Sequence, residues 1–397
     1  MRKVSLIAAA VAAAVTATSA FAVDFNGYAR AGAAIGGDGA GDSAFEKNKV
    51  GRLGNEDDNY YEFGFSEELQ TGEQSWKLES MIASSDKGQS GWESSEINVA
   101  QFNVQAKGLI ASDPEAVIWA GKRYYQRKDI HITDFYFLNT SGTGGGIENI
   151  SLGDQKLSLA FLQDGGDDEG DNKPASTGYI FDARLANIGL WEDASLELAT
   201  AYNFATEKDG RTEAADDGIM LTGIVHQNMD NGFNQTILQY GSAGYGDQIA
   251  GFGSGAWYSR GSDDKNDAKG YRIINWGVMN VGSSMELGHQ LSYHNGSDLT
   301  DGEGDSDMFT AVVRPVYKWN DTMRTIGEVG FFDGENQGTD QGGHKFTLAQ
   351  AWAMGDSFWS RPEIRFYGTY ITDEEGDTFG DKGDSEFVTG VQLEAWW

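Results

Sequence analysis

The chain closes on Phe387-Val388-Thr389-Gly390-Val391-Gln392-Leu393-Glu394-Ala395-Trp396-Trp397. Read with a period of two, Phe387, Thr389, Val391, Leu393, Ala395 and Trp397 fall on one face. Val388, Gly390, Gln392, Glu394 and Trp396 fall on the other. In a strand, successive side chains point to opposite sides, so this segment has one apolar and one polar face. A strand with lipid outside and water inside carries that pattern. A terminal aromatic suits the girdle of a membrane barrel and the closure of its last strand against its first.

The same alternation recurs upstream. At residues 24–31, Phe25, Gly27, Ala29 and Ala31 face one way, and Asp24, Asn26, Tyr28 and Arg30 the other. Tyr61-Phe63-Phe65, Leu157-Leu159-Phe161, Leu196-Leu198, Phe346-Leu348 and Ile364-Phe366-Tyr370 repeat it. Acidic, Gly-rich clusters separate the segments, at 165–172, 301–307 and 373–384 for example. They read as solvated loops, and none has the ligand spacing of a calcium-binding loop. No Pro-rich or Ser-rich linker breaks the pattern, so residues 23–397 read as one domain. At about ten residues per crossing, 16 or 18 strands use roughly half of it. Either number implies an open lumen rather than a packed core.

Residues 1–22 read as a secretory signal: Arg2 and Lys3, an Ala-rich apolar run, and the small-x-small site Ala20-Phe21-Ala22. Beyond it no apolar run reaches the ~18 residues of a membrane helix. An exported chain that spans a membrane without helices must do so as a closed barrel. Among 397 residues there are 61 acids against 29 Lys and Arg, a formal charge of −32. That excess argues against nucleic acid as a partner. Zero Cys excludes disulfides and thiolate metal sites. The five His show no metal-ligand spacing, and no nucleophile elbow, phosphate loop or dinucleotide fingerprint occurs, so neither a metal, a cofactor nor an enzyme activity is expected. Isolated carboxylate pairs are too common in so acidic a chain to mark a catalytic dyad.

The polar faces carry the chemistry. Tyr28 shares its face with Arg30, Tyr60 with Arg52 and Glu62, Trp396 with Gln392 and Glu394, and Trp359 with Arg361, Glu363 and Arg365. Aromatics beside mixed charges inside a wet lumen suit a sugar. Its C–H face stacks on a ring and its hydroxyls bond to guanidinium and carboxylate. A row of such weak sites permits passage, whereas one tight site blocks it.

At this point the chain resembles the maltoporin family of sugar-specific outer-membrane porins. The resemblance rests on Val23-Asp24-Phe25-Asn26-Gly27-Tyr28-Ala29-Arg30, Arg52-Leu53-Gly54-Asn55-Glu56, and the block Trp119-Ala120-Gly121-Lys122-Arg123-Tyr124-Tyr125-Gln126-Arg127 running on through Asp129, His131 and Asp134-Phe135-Tyr136. Gly145 to Ile150, Arg314 to Trp319, Trp359-Ser360-Arg361-Pro362 and Glu394-Ala395-Trp396-Trp397 add to it. Residues 164–308 match only loosely.

The resemblance implies an 18-stranded antiparallel transmembrane β-barrel, a homotrimer in outer-membrane lipid of a Gram-negative bacterium, and a third external loop, around 125–145, folded into the lumen. Its ligand is maltose or a maltodextrin. The family's sugar-stacking line falls on Tyr28, Tyr60, Trp92, Phe233, Trp359 and Trp396, with Trp92 supplied by the neighbouring subunit. Its polar track falls on Arg30, Arg52, Glu62, Arg127, Asp129 and Asp134, with Tyr136 as the constriction. Ala100 stands where the family has a further Arg, and the last external loop, between Ile371 and Glu386, is short. The first departure leaves a porin for another oligosaccharide, a β-glucoside or sucrose, as an alternative. A general cation-preferring diffusion porin is a second one, opposed by the ordered aromatics.

Overall fold

The computed structural model describes residues 23–37, 44–86, 96–164, 178–205, 215–255, 258, 263–376, 378–379 and 383–397. The leader 1–22 and Trp92 lie outside them. The strands are β1 Asp24–Gly36, β2 Asn59–Thr71, β3 Gln74–Asp86, β4 Glu96–Lys107, β5 Val117–Arg123, β6 Lys128–Ile130, β7 Phe135–Leu138, β8 Gly142–Leu152, β9 Gln155–Asp164 and β10 Gly178–Gly189. They continue as β11 Ala194–Phe204, β12 Gly218–Met229, β13 Gly232–Ser242, β14 Lys269–Asn280, β15 Met285–Ser297, β16 Ser306–Lys318, β17 Met323–Asn336, β18 Thr339–Ala353, β19 Glu363–Asp373 and β20 Ser385–Trp396. All but β6 and β7 form one 18-stranded antiparallel sheet in which each strand pairs with its neighbour in sequence. β1 also pairs with β20, Tyr28 opposite Trp396 and Arg30 opposite Glu394, which closes the barrel. Closure removes the exposed edges that lipid could not satisfy.

Alternation sorts the wall as the sequence predicts. On β20, Phe387 and Leu393 are exposed, while Val388, Gln392 and Glu394 are buried. Phe25, Phe63, Phe65, Leu159, Phe161, Phe346, Leu348 and Phe366 lie on the outer face. Phe25 packs against Trp397 with ring centroids 5.4 Å apart, and Phe63 lies 6.3 Å from the same indole. This cluster forms part of an aromatic rim.

One end of the barrel is turned by short links. Gly72-Glu73 joins β2 to β3, with Gly72 at φ 63°, a left-handed conformation that a residue with a Cβ adopts only with strain. The other end carries the long loops, as in porins.

More than one loop folds into the lumen and narrows it, which the strand number alone does not foretell. Residues 45–56 of the first loop are tucked inside, with Val50, Leu53 and Asn55 fully buried. Gly330 on β17 makes room, because a Cβ there would collide with the Val50 carbonyl. The third loop, 124–141, is likewise buried at Tyr125, Ile130, Ile132 and Phe137. The sixth, 243–268, presses the short helix Gly244–Ala250 onto the wall, where Gly270 admits the backbone of Gly246. The polar strand faces therefore bind loop backbone as well as water. That arrangement is invisible to a period-two count.

Candidate functional site

Strand register assembles the site. β1 pairs with β2 so that Tyr28 faces Glu62 and Arg30 faces Tyr60. On the other side Tyr28 faces Trp396 and Arg30 faces Glu394. Two adjacent inward rows result: Glu62, Tyr28, Trp396, and above it Tyr60, Arg30, Glu394. The Tyr28 and Tyr60 rings lie 6.2 Å apart. The Arg30 guanidinium sits 5.3 Å above the Tyr60 ring, and that of Arg361 4.4 Å above Trp396.

The third loop then extends the row. His131, in its single 3₁₀ turn His131–Thr133, lies 5.6 Å edge-on from Trp396 and 5.5 Å from Trp359. The ring sequence is thus Tyr60, Tyr28, Trp396, His131, Trp359. Burial keeps the His131 imidazole well below its ordinary range despite the nearby Glu394 carboxylate, so it is neutral at pH 7 and serves as one more flat ring.

Glu394 is the electrostatic centre. It accepts from the Tyr28 hydroxyl at 3.0 Å, lies 3.2 Å from Arg52 Nη1 and 2.7 Å from Arg361 Nη2, and has Arg365 at 3.5 Å. Arg52 also donates to the Tyr28 hydroxyl at 2.7 Å and to Glu56 at 3.0 Å. Arg30 grips Asp58 with two nitrogens, at 3.1 and 2.8 Å, and reaches Asp134 at 3.3 Å. Lys47 holds Asp134 at 2.6 Å. Burial alone would raise the Asp134 carboxyl, but Arg52, Lys47 and Arg30 outweigh it and hold it at about 2.

Arg127 is sandwiched between the rings of Tyr124, 3.7 Å from its centroid, and Tyr136, 4.7 Å, and lies 3.8 Å from Glu62. Glu62 accepts from the Tyr60 hydroxyl at 2.7 Å. Asp129 pairs with Tyr136 across the β6–β7 hairpin, and burial raises its carboxyl although Arg127 opposes the shift.

Most of the residues expected from the sequence therefore converge: Tyr28, Tyr60, Trp396, Arg30, Arg52, Glu62, Arg127, Asp129, Asp134 and Tyr136, with Trp359 joined through His131. Two placements differ from the strand reading. Arg52 belongs to the inward first loop, not to the Tyr60 strand face. Trp359 and Arg361 lie in the turn 354–362, before β19 begins. That turn folds back under the lumen, which is why both still reach the row.

Phe233 stands apart. It is on β13, seven strands along the sheet from β20, and packs edge-on against Trp276 at 5.0 Å and against His226 at 5.8 Å. Among the described residues no ring contact links it to Trp359. Ala100 is the extra residue of a bulge in β4, where the register slips between Met81 and Ile82. Its neighbour Gln101 accepts from the Tyr124 amide at 2.8 Å and turns its Nε2 donor to Met81 Sδ at 3.6 Å.

Glu394 and Arg361 were legible as polar-face neighbours of aromatics but not as partners of each other. His131 carried no signal beyond the block 119–136. Glu56, Asp58 and Lys47 needed the first loop to turn inward, which no periodicity announces. The last external loop is short, yet Phe379 from it is buried against Phe45, with centroids 5.7 Å apart. It caps the first loop rather than widening the mouth.

The chemistry of this wall is a run of flat rings flanked by guanidinium and carboxylate pairs that offer donors and acceptors in alternation. Among the described residues no nucleophile and base converge in it. The LamB porin family model matches residues 23–397. A Maltoporin of Vibrio cholerae serotype O1 is 63% identical, covering 100% of both chains. A Maltoporin of Photobacterium profundum is 46% identical over 96% of each, and Maltoporin 1 of Klebsiella pneumoniae 39% over 98% of each. In fold, the chain is similar to Pseudomonas aeruginosa OpdQ, with a TM-score of 0.52 at 9% identity over 94% of this chain and 99% of that one. The chain belongs to the LamB porin family and is an outer-membrane β-barrel channel.

Proposed function

We propose that this porin carries maltose and maltodextrins across the outer membrane by facilitated diffusion, without an energy source or covalent chemistry. The observation that carries the reading is the inward run Tyr60, Tyr28, Trp396, His131, Trp359 beside Arg30, Arg52, Glu62 and Asp134. Each hexose stacks its apolar face on one ring and shares hydroxyls with the flanking charges. The next ring offers an equivalent site, so the chain advances by small steps.

In this reading Tyr136, Arg127 and Asp129 on the third loop narrow the passage. Trp92 from a neighbouring subunit in a homotrimer guides sugar toward Tyr60, and Phe233 with Trp276 forms a separate exit surface. Residues 1–22 direct export and are removed, and the exposed apolar wall meets lipid. The Maltoporin relatives support the choice of sugar.

The test is single-channel current through the purified protein with a panel of sugars. Maltodextrins interrupt the current in a concentration-dependent way and bind more tightly than sucrose or β-glucosides. A current that no sugar interrupts sinks the specific-channel reading in favour of general diffusion.

A further inference from the structure

Beside the mouth of the ring run lies a second cavity of about 390 Å³, within the roughly 300–1,000 Å³ of small-molecule sites. It is bounded by the short helix Lys47–Val50 of the first loop, by the sixth loop around Phe252, and by the loop-side ends of β16, β17 and β18. A cavity of about 640 Å³ on the other side of that helix is lined by Glu56, Asp58, Asp134 and Tyr136, and so opens onto the run itself. Glu46, Asn48 and Phe252 line both. The smaller cavity is therefore a side chamber at the entrance.

Its lining selects the ligand. Three of the four charges are met in place: Lys49 Nζ lies 3.2 Å from Glu46 and donates to Gln341 Oε1 at 3.4 Å, and Asp247 pairs with Lys265 at 3.3 Å, while Glu335 is exposed to solvent. An ion gains little where the charges are already paired. The remaining groups include Asn48, Asn336, Gln337 and Gln341, whose amides each offer donors and acceptors. Phe252 supplies a fixed apolar surface, held by stacking on His294 at 4.2 Å and by an edge contact with Phe135 at 5.2 Å. Ser306, with 9% of its surface exposed, lines the chamber, and its buried hydroxyl has no hydrogen-bond partner. A buried hydroxyl without a partner costs free energy that a bound hydroxyl recovers. Largely paired charge, several amides, one ring and an unmet hydroxyl together describe a site for a neutral polyol.

We propose that this chamber is a second carbohydrate subsite, off the ring run, which takes one or two hexose units arriving from the loop side and passes them to the run. The proposal rests on the sugar-channel reading above. The subsite speeds both entry from the loop side and exit to it by the same factor, and leaves the affinity of the run unchanged.

The test is sugar-induced block of single channels of the full-length protein, with maltotriose added to one compartment at a time. Asn48→Ala combined with Gln341→Ala lowers the rate of block from the loop side at least threefold. The equilibrium affinity with maltotriose on both sides and the rate of block from the opposite side stay as in the parent channel. Ser306→Ala, which leaves packing and backbone in place, shifts the loop-side rate in the same direction. A parent channel that is blocked, with variants that match it from both sides, overturns the subsite alone. Equal changes from both sides, or a changed equilibrium affinity, also overturn it, because they report a disturbed run. A parent channel that no sugar blocks overturns the sugar-channel reading, and the subsite falls with it.

Discussion

Tyr28 stands directly opposite Trp396 across the seam where the first and last strands pair. Gly27 and Trp397 exchange backbone hydrogen bonds of 3.2 and 3.3 Å just beyond them and fix that register. A slip of one residue would turn one of the two rings outward. Closing the barrel and building the ring run are thus one event. Trp396→Ala removes the central ring and leaves Arg361 without its stacking partner. Maltodextrin block of the current should weaken by roughly 1 kcal/mol, about fivefold in affinity, with the barrel still folded. Titration of the block with maltotriose checks this, and an unchanged affinity would place the sugar elsewhere.

Glu328 joins the first loop to the third. Its carboxylate accepts from the Leu53 amide at 2.9 Å and from Lys345 at 2.7 Å, and pairs with Arg314, which in turn donates to the Ile132 carbonyl at 3.0 Å. All of this is buried. Glu328→Gln keeps the shape but leaves Lys345 and Arg314 with uncompensated charge. Breaking a buried pair costs on the order of 3–5 kcal/mol. The variant should unfold at lower denaturant, and its open-channel conductance should rise as the first loop loosens. Equal conductance would mean that other contacts hold the loop.

Arg272 fixes the third loop to the sixth. It donates to the carbonyl of Phe137 at 3.1 Å and to those of Gly251 and Gly253 at 3.3 and 3.0 Å, while Gln239 accepts its Nε–H at 2.9 Å. Arg272→Met fills similar space but strands these carbonyls, at roughly 1–3 kcal/mol for each that finds no new partner. Excess current noise without sugar, from a restless constriction, is the expected signature. Arg272→Lys should restore part of the quiet baseline, since an ammonium reaches some of the same carbonyls.

What the residues announced and what they hid follows from the range of each interaction. The barrel was legible because lipid outside and polar groups inside impose a local, repeated pattern, as in Phe387 to Trp397. The ring run was legible at Tyr28, Tyr60 and Trp396 because those residues sit on regular strands. Arg52 and Trp359 were misread as strand-face residues. Both sit in connecting segments, where side-chain direction depends on tertiary contacts such as Arg52 with Glu394. The inward first and sixth loops were hidden altogether. Their signal is a glycine on a distant strand, Gly330 under Val50 or Gly270 under Gly246, and a glycine in a strand does not name its partner.

Asp134 keeps its charge far into the acid range, whereas burial raises the carboxyl of its track neighbour Asp129. The Asp134 carboxyl lies at about 2 in the folded protein against about 3.9 in an unfolded chain. A depressed value means that the ionised form is favoured by folding. The stabilisation is complete above about pH 4 and is lost as the pH falls through about 2. His131, held neutral by burial, adds no change between pH 5 and 8. Sugar block should therefore keep its Asp134 contribution down to about pH 4 and lose it as the pH falls toward about 2 and Asp134 releases Lys47 and Arg30, while Asp129, raised by burial, protonates before it. Asp134→Asn should lower the block at pH 7 and flatten its acid limb. A steep change near pH 6.5 in the parent channel would instead assign the titration to a histidine and contradict the buried, neutral placement of His131.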